Sequence, residues 1–205
     1  FFLHFLVAGK YMDPSALSWL LVLPLIIWVD ELFRKRSHSM HNLSYSLTAL
    51  IYPATLISSL SYLAYLSPAE HAFDHSLLIH LFVLIWTNDT FAYLAGKKLG
   101  EHKLLPHVSP AKSWEGLAGG LLASLLVAFL ISHLQKEMVL LHWLVLAAIV
   151  TLAGTLGDLC ESCLKRNVGI KDSGSLIPGH GGLLDRFDSA MFIFPVAYLY
   201  LSNVL

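Results

Sequence analysis

Four carboxylates stand at matched spacings near the end of this chain. Asp158 and Glu161 are i, i+3, and Asp185 and Asp188 repeat that interval. On a helix this spacing puts both side chains on one face. Two such faces meeting would suit a hard cation, which takes oxygen ligands and often shares one or two carboxylates with substrate phosphates. Between the pairs runs Pro178-Gly179-His180-Gly181-Gly182, too glycine-rich for a regular element. Successive backbone N–H groups in such a loop can cradle phosphate oxygens. Lys165, Arg166, Lys171 and Arg186 add positive charge around it. Arginine grips phosphate with two parallel bonds and lysine acts as a point charge. His180 is either a phosphate donor, a proton carrier or a structural residue of the turn. A plainer alternative is simple ion pairing, Asp158 with Lys165 and Asp185 or Asp188 with Arg186. It explains one pair readily and four carboxylates around a glycine turn less well.

Two further clusters precede this run. Asp89-Thr90-Phe91-Ala92-Tyr93, followed by Gly96-Lys97-Lys98, lies in an apolar stretch. A charge is costly there, so Asp89 is a functional candidate, with a helix-packing partner as the alternative. Ser109-Pro110-Ala111-Lys112-Ser113-Trp114-Glu115-Gly116 introduces the next apolar stretch. Ser113 is placed to cap a helix and Lys112 to bind phosphate; the alternative is a simple entry loop. Cys160 and Cys163 have no second cysteine pair to complete a zinc site, so they read as small apolar residues.

The elements that must position these residues are membrane spans. The 205 residues are 56% hydrophobic and only 13% charged, against about 25% charged in soluble domains. Mean hydropathy is +0.66. About 20 apolar residues cross a bilayer core as a helix. Such stretches are expected at 14–30, 43–66, 76–96, 116–134, 138–157 and 189–205. The expected fold is therefore all-α: a polytopic helical membrane protein with at least six transmembrane helices and a polar active site on its cytoplasmic side. Residues 1–70 form N-terminal spans, with the chain opening inside an earlier span, and 71–205 form the catalytic domain. Pro24 and Pro53 predict kinks, and Gly116, Gly119 and Gly120 predict close helix contact. Eleven of the thirteen Lys and Arg residues fall in alternate loops: Arg34, Lys35 and Arg36; Lys97, Lys98, Lys103 and Lys112; Lys165, Arg166, Lys171 and Arg186. Basic loops stay in the cytoplasm, so all three clusters face that side. A net charge of −1 points to no charged partner, and no nucleic acid is expected.

With these residues in view, the chain resembles the phosphatidate cytidylyltransferase (CDP-diacylglycerol synthase) family. The resemblance rests on Ser162, Lys165, Arg166, Lys171, Asp172, Gly174, Ile177, Pro178, His180, Gly181, Gly182, Asp185, Arg186, Phe187 and Asp188, within 27 residues. The segments at Asp89–Tyr93 and Ser109–Gly116 are also similar to that family's. The resemblance implies metal-assisted nucleotidyl transfer in phospholipid biosynthesis: CTP and phosphatidate give CDP-diacylglycerol and pyrophosphate. It implies Mg²⁺, a second and monovalent cation such as K⁺, and a homodimer in a bacterial inner (plasma) membrane. Metal ligands would be Asp158, Asp185 and Asp188, with Glu161 less firmly placed. Lys165, Lys171, Asp172 and His180 would join the catalytic group. Asp89, Ser109, Lys112, Arg166, Gly181, Gly182 and Arg186 would bind substrate. Two other readings stay open: a CTP-dependent enzyme for another lipid phosphate, and an ion-coupled carrier. A carrier would place its site near the midplane, whereas these clusters gather at one boundary.

Overall fold

A computed structural model describes residues 2–33, 39–66, 73, 75–135, 138–170, 173–174, 182 and 184–205. The chain divides into two units, 1–74 with 200–205, and 75–199. In the first, α1 (Phe2–Ala8) is followed by a 3₁₀ segment (Pro14–Leu21) that runs into α2 (Val22–Phe33), and then by α3 (Ser39–Ala64). Pro24 falls just past the junction of the 3₁₀ segment with α2, inside the continuous helical stretch Pro14–Phe33. No residue of α2 is buried. Leu25, Ile26, Trp28 and Phe33 point outward, as on a helix whose solvent is lipid. His4 Nδ1 meets the Tyr62 hydroxyl at 3.1 Å and ties α1 to α3.

The second unit carries every described residue of the three polar clusters. It contains α4 (His75–Leu99), a hairpin of β1 (Lys103–Leu105) and β2 (Ser109–Ser113), α5 (Trp114–Leu134), α6 (Leu140–Asn167) and α7, which runs Leu184–Leu201. Among the described residues, four helices are long and apolar enough to cross a bilayer: Pro14–Phe33, His75–Leu99, Trp114–Leu134 and Leu140–Asn167. The chain is thus an integral membrane protein. The other two expected spans coincide with helices α3 and α7 but are not among the four. Serines and threonines make α3 less apolar, and Asp185, Arg186 and Asp188 load the first turn of α7.

Among the described residues, one stretch is extended. The segment before the next span, for which a simple entry loop is the alternative reading, forms a strand of a hairpin: Lys103 pairs with Ser113 and Leu105 with Ser109, antiparallel. The Val108 N–H closes the turn on the Leu105 carbonyl at 3.1 Å, with Pro106 at the turn position that favours proline. Ser113 then caps α5, its hydroxyl accepting from the Gly116 N–H at 3.1 Å. His102 locks the hairpin to the same helix, its backbone N–H donating to Glu115 at 3.1 Å and its Nδ1 lying 2.6 Å away.

Backbones approach closely around this hairpin. Buried residues of α5 are Gly116, Gly120, Ser124, Ala128 and Ile131, mostly four apart, which makes one ridge of small side chains. A Cβ at Gly120 would lie 2.6 Å from Asn88 Oδ1, and one at Gly116 2.9 Å from the Ala92 carbonyl. The expected packing role of these glycines holds. Similarly, a Cβ at Gly157 would lie 2.6 Å from the carbonyl oxygen of Asp188, so α6 and α7 touch through main chain. Gly157→Ala should destabilise the folded chain by about 1–3 kcal/mol through overpacking. Thermal unfolding in detergent checks this, and an unchanged midpoint would contradict the contact.

Helix α6 has 28 residues and is therefore about 42 Å long at 1.5 Å per residue. A bilayer core is about 30 Å thick. Apolar sequence ends near Gly157, and the helix continues with Asp158, Glu161, Ser162, Lys165 and Arg166. The surplus length carries those groups on a rigid rod beyond the apolar stretch.

Candidate functional site

Lys112 is the hinge of the first polar group. It extends from β2 to α6, its Nζ 2.5 Å from Asp158 Oδ2 and 3.4 Å from the Thr155 carbonyl. The other Asp158 oxygen accepts from the Ser162 hydroxyl at 3.3 Å. Asp89 on α4 feels the charges of both Asp158 and Lys112, and so does Asp188 on α7. Asp188 Oδ1 is held by the Ser189 N–H at 2.6 Å. Asp158 of α6 thus pairs with this ammonium, while Asp89 of α4 and Asp188 of α7 lie within electrostatic reach of the pair. Oxygen-rich and anionic, the set has the donor chemistry a hard cation takes. Among the described residues, however, no three such side chains close on a common point.

Lys165 organises a second group one turn along α6. Its Nζ lies 2.5 Å from Glu161 Oε2 and 2.7 Å from Asp185 Oδ1. Glu161 is fully buried. Its Oε2 has ion-pair distance to Lys165 without hydrogen-bond alignment; at that separation the charge contact is what counts. Asp185 gathers more. Its Oδ2 accepts from the Ser173 N–H at 2.9 Å, the Ser173 hydroxyl at 2.8 Å and the Gly182 N–H at 2.7 Å. Asp185 stands outside the four candidate spans. Burial pushes its carboxyl up, but Lys165, Gly182 and Ser173 together hold it well below the usual carboxylate range. A Cβ on Gly182 would meet the Ser173 hydroxyl at 2.5 Å, so the two ends of the loop lie against each other. Asp185 ties both ends to α6 and to the first turn of α7.

The expected site residues therefore divide. Asp158 pairs with Lys112, with Asp89 and Asp188 in electrostatic reach; Glu161 and Asp185 gather with Gly182 at Lys165. Neither simple pairing considered for Asp158 or Asp185 is present: Asp158 takes Lys112 rather than Lys165, and Asp185 takes Lys165 rather than Arg186. The reason is reach across the bundle. Lys112 arrives from the hairpin on the Asp158 face of α6, while Glu161 and Asp185 enclose Lys165 from two sides. Arg166 and Arg186 are exposed. Ser109 lies opposite Leu105 in the hairpin. Lys171, Asp172, His180 and Gly181 lie outside the described residues. Cys160 and Cys163 are free thiols on the exposed side of α6.

Two polar residues that sequence reasoning passed over sit beneath the first group. Asn88, buried on α4, accepts from the Thr151 hydroxyl of α6 at 2.9 Å. Its Nδ2 faces Asp89 Oδ1 at 3.3 Å. The only cue in the sequence was an amide beside an intramembrane carboxylate; nothing pointed to Thr151.

Similarity to known proteins runs nearly the length of the chain. A sequence model of the cytidylyltransferase family matches residues 2–204. The phosphatidate cytidylyltransferase of Staphylococcus saprophyticus subsp. saprophyticus is 35% identical over 199 residues, covering 96% of this chain and 74% of that protein. That of Staphylococcus haemolyticus is 36% identical with the same coverage. That of Staphylococcus epidermidis is 34% identical over 196 residues, 95% of this chain and 72% of that one. With matches of this extent, the chain belongs to the cytidylyltransferase family.

Proposed function

We propose that this chain transfers the cytidylyl group of CTP to phosphatidate in the membrane. A phosphatidate oxygen attacks the α-phosphorus of CTP, a new P–O bond forms, and the bond to the β-phosphate breaks to release pyrophosphate. The product is CDP-diacylglycerol. The observation that carries this reading is the Lys112–Asp158 pair at the end of the apolar part of α6, with Asp89 and Asp188 within its electrostatic reach. The relatives' shared name supports the choice of substrates.

Transfer of this kind needs positioning and charge neutralisation more than covalent help from the protein. Mg²⁺ held by Asp158 and Asp188 would neutralise charge on the nucleotide phosphates. Lys112, paired with Asp158, is placed to exchange that contact for a phosphate oxygen. The Lys165 group acts as a strut: by holding Asp185 it sets Ser173, Gly182 and the start of α7, and so the position of Asp188. Arg166 and Arg186, both exposed, are free to meet phosphates of either substrate. The basic loops support a cytoplasmic site in a bacterial inner membrane, where CTP is available. Helix α3 and the part of α7 beyond Asp188 complete six spans in this reading, and a homodimer and a second, monovalent cation follow from the family resemblance alone.

The purified chain in detergent should release pyrophosphate only when CTP, phosphatidate and Mg²⁺ are all present. Release with a polyprenyl or ether-lipid phosphate, and none with phosphatidate, would overturn the substrate. Chelation of divalent cations should bring release to background, and undiminished release would overturn the metal.

A further inference from the structure

The Asp89 carboxylate sits inside a helix the bilayer must accommodate, and among the described residues no lysine forms an ion pair with it. Something else must fix its direction, and Asn88 does so by geometry. Its side chain is only 5% exposed and lies where α4, α5 and α6 meet. Gly120 of α5 leaves the space for it, since any Cβ there would stand 2.6 Å from Asn88 Oδ1. Thr151 of α6 donates to that oxygen at 2.9 Å, and also reaches the Ala147 carbonyl at 3.1 Å. With Oδ1 turned to Thr151, Nδ2 is the group left facing Asp89 Oδ1, at 3.3 Å. The reverse amide orientation would set two oxygens against each other. A buried amide with its partners satisfied is rigid; one with a partner removed costs the desolvation of the group left bare.

We propose that Asn88 is a positioning residue, clamped by Thr151 and Gly120, that aims the Asp89 carboxylate into the site. This rests on the reading of Asp89 as a site carboxylate under the proposed function. Thr151 touches no expected substrate group, so its hydroxyl is a clean handle. Thr151→Val keeps the shape and removes the donor, which frees the Asn88 amide to turn. Misaiming a site group by about 1 Å can cost about 10²-fold in rate.

The test is a double-mutant cycle on the purified full chain with CTP and phosphatidate, reading kcat and KM separately. Thr151→Val should lower kcat about tenfold with less change in KM for either substrate, and Thr151→Ser should restore it to within about twofold, since a contribution made only in the transition state appears in kcat. In an Asp89→Asn background Thr151→Val should cost less than about twofold further, because coupled residues are non-additive. Full additivity, or a Thr151→Ser protein as poor as Thr151→Val, overturns the proposal. If Thr151→Val fails to fold, Asn88→Ser takes its place in the cycle: non-additivity with Asp89→Asn supports the proposal and full additivity overturns it. An unsubstituted chain without CTP-dependent turnover would instead overturn the proposed function, so the two failures are distinguishable.

Discussion

Asp158→Asn is expected to lose about 10²–10³-fold in turnover, the range for removing one preorganised electrostatic group, without losing stability. Asparagine has nearly the same shape: its oxygen can still accept from Lys112, while its NH₂ meets the Ser162 hydroxyl, which can turn to accept. What disappears is a negative charge that Asp89 and Asp188 both feel. Clustered like charges strain the folded state, and an active site commonly holds such strain in exchange for function. The variant should therefore melt at or slightly above the parent's temperature while pyrophosphate release collapses. Measured together, the two readouts test the role directly. A parallel fall in both would make Asp158 a structural ion-pair partner and remove it from the cation site.

Asp185→Asn should behave differently, losing both activity and stability. Both oxygens of Asp185 are engaged, one by Lys165 at 2.7 Å and the other by Ser173 and Gly182. Asparagine must turn an NH₂ toward one of these donors. Lys165 would keep Glu161 alone, with Glu161 fully buried. Leaving a buried donor unmatched costs about 1–3 kcal/mol, and breaking a buried ion pair about 3–5. With side chains 17% and 13% exposed at this pair, a loss of about 2–4 kcal/mol is expected, seen as an earlier thermal midpoint. Turnover should fall about 10²-fold as the first turn of α7 shifts with Asp188. The acid side follows from the same contacts. Because the folded carboxyl titrates below its ordinary range, its contribution is complete above about pH 4 and fades only as pH falls further. Parent and variant should thus converge in stability at low pH; a gap that persists there would contradict the ion-pair account.

What was legible in the sequence follows from range. Apolar length gave the helices, because spanning a bilayer is a property of a contiguous stretch. Ser113 and Gly116 announced a capped helix start three residues apart. Glycines 116, 119 and 120 announced a close seam, although not its partner. The i, i+3 carboxylate pairs were correctly put on helices α6 and α7. Their partners were not readable. Lys112 is 46 positions from Asp158, and only the hairpin brings them together. That hairpin was itself hidden, since strands of three and five residues with Pro110 inside carry no alternating pattern long enough to see. Thr151 and Asn88 were invisible for the same reason: a hydroxyl on one helix finds an amide on another only once the helices have been packed.

The hairpin also acts as a ruler. The Lys103–Ser113 and Leu105–Ser109 pairs set two residue steps on β1 against four on β2, a register irregularity of the kind that re-aims a side chain beside a site. Lys112 stands inside that irregular stretch. Removing residues there would regularise the ladder and carry the ammonium away from Asp158, so the length of this connection matters as well as the lysine it delivers.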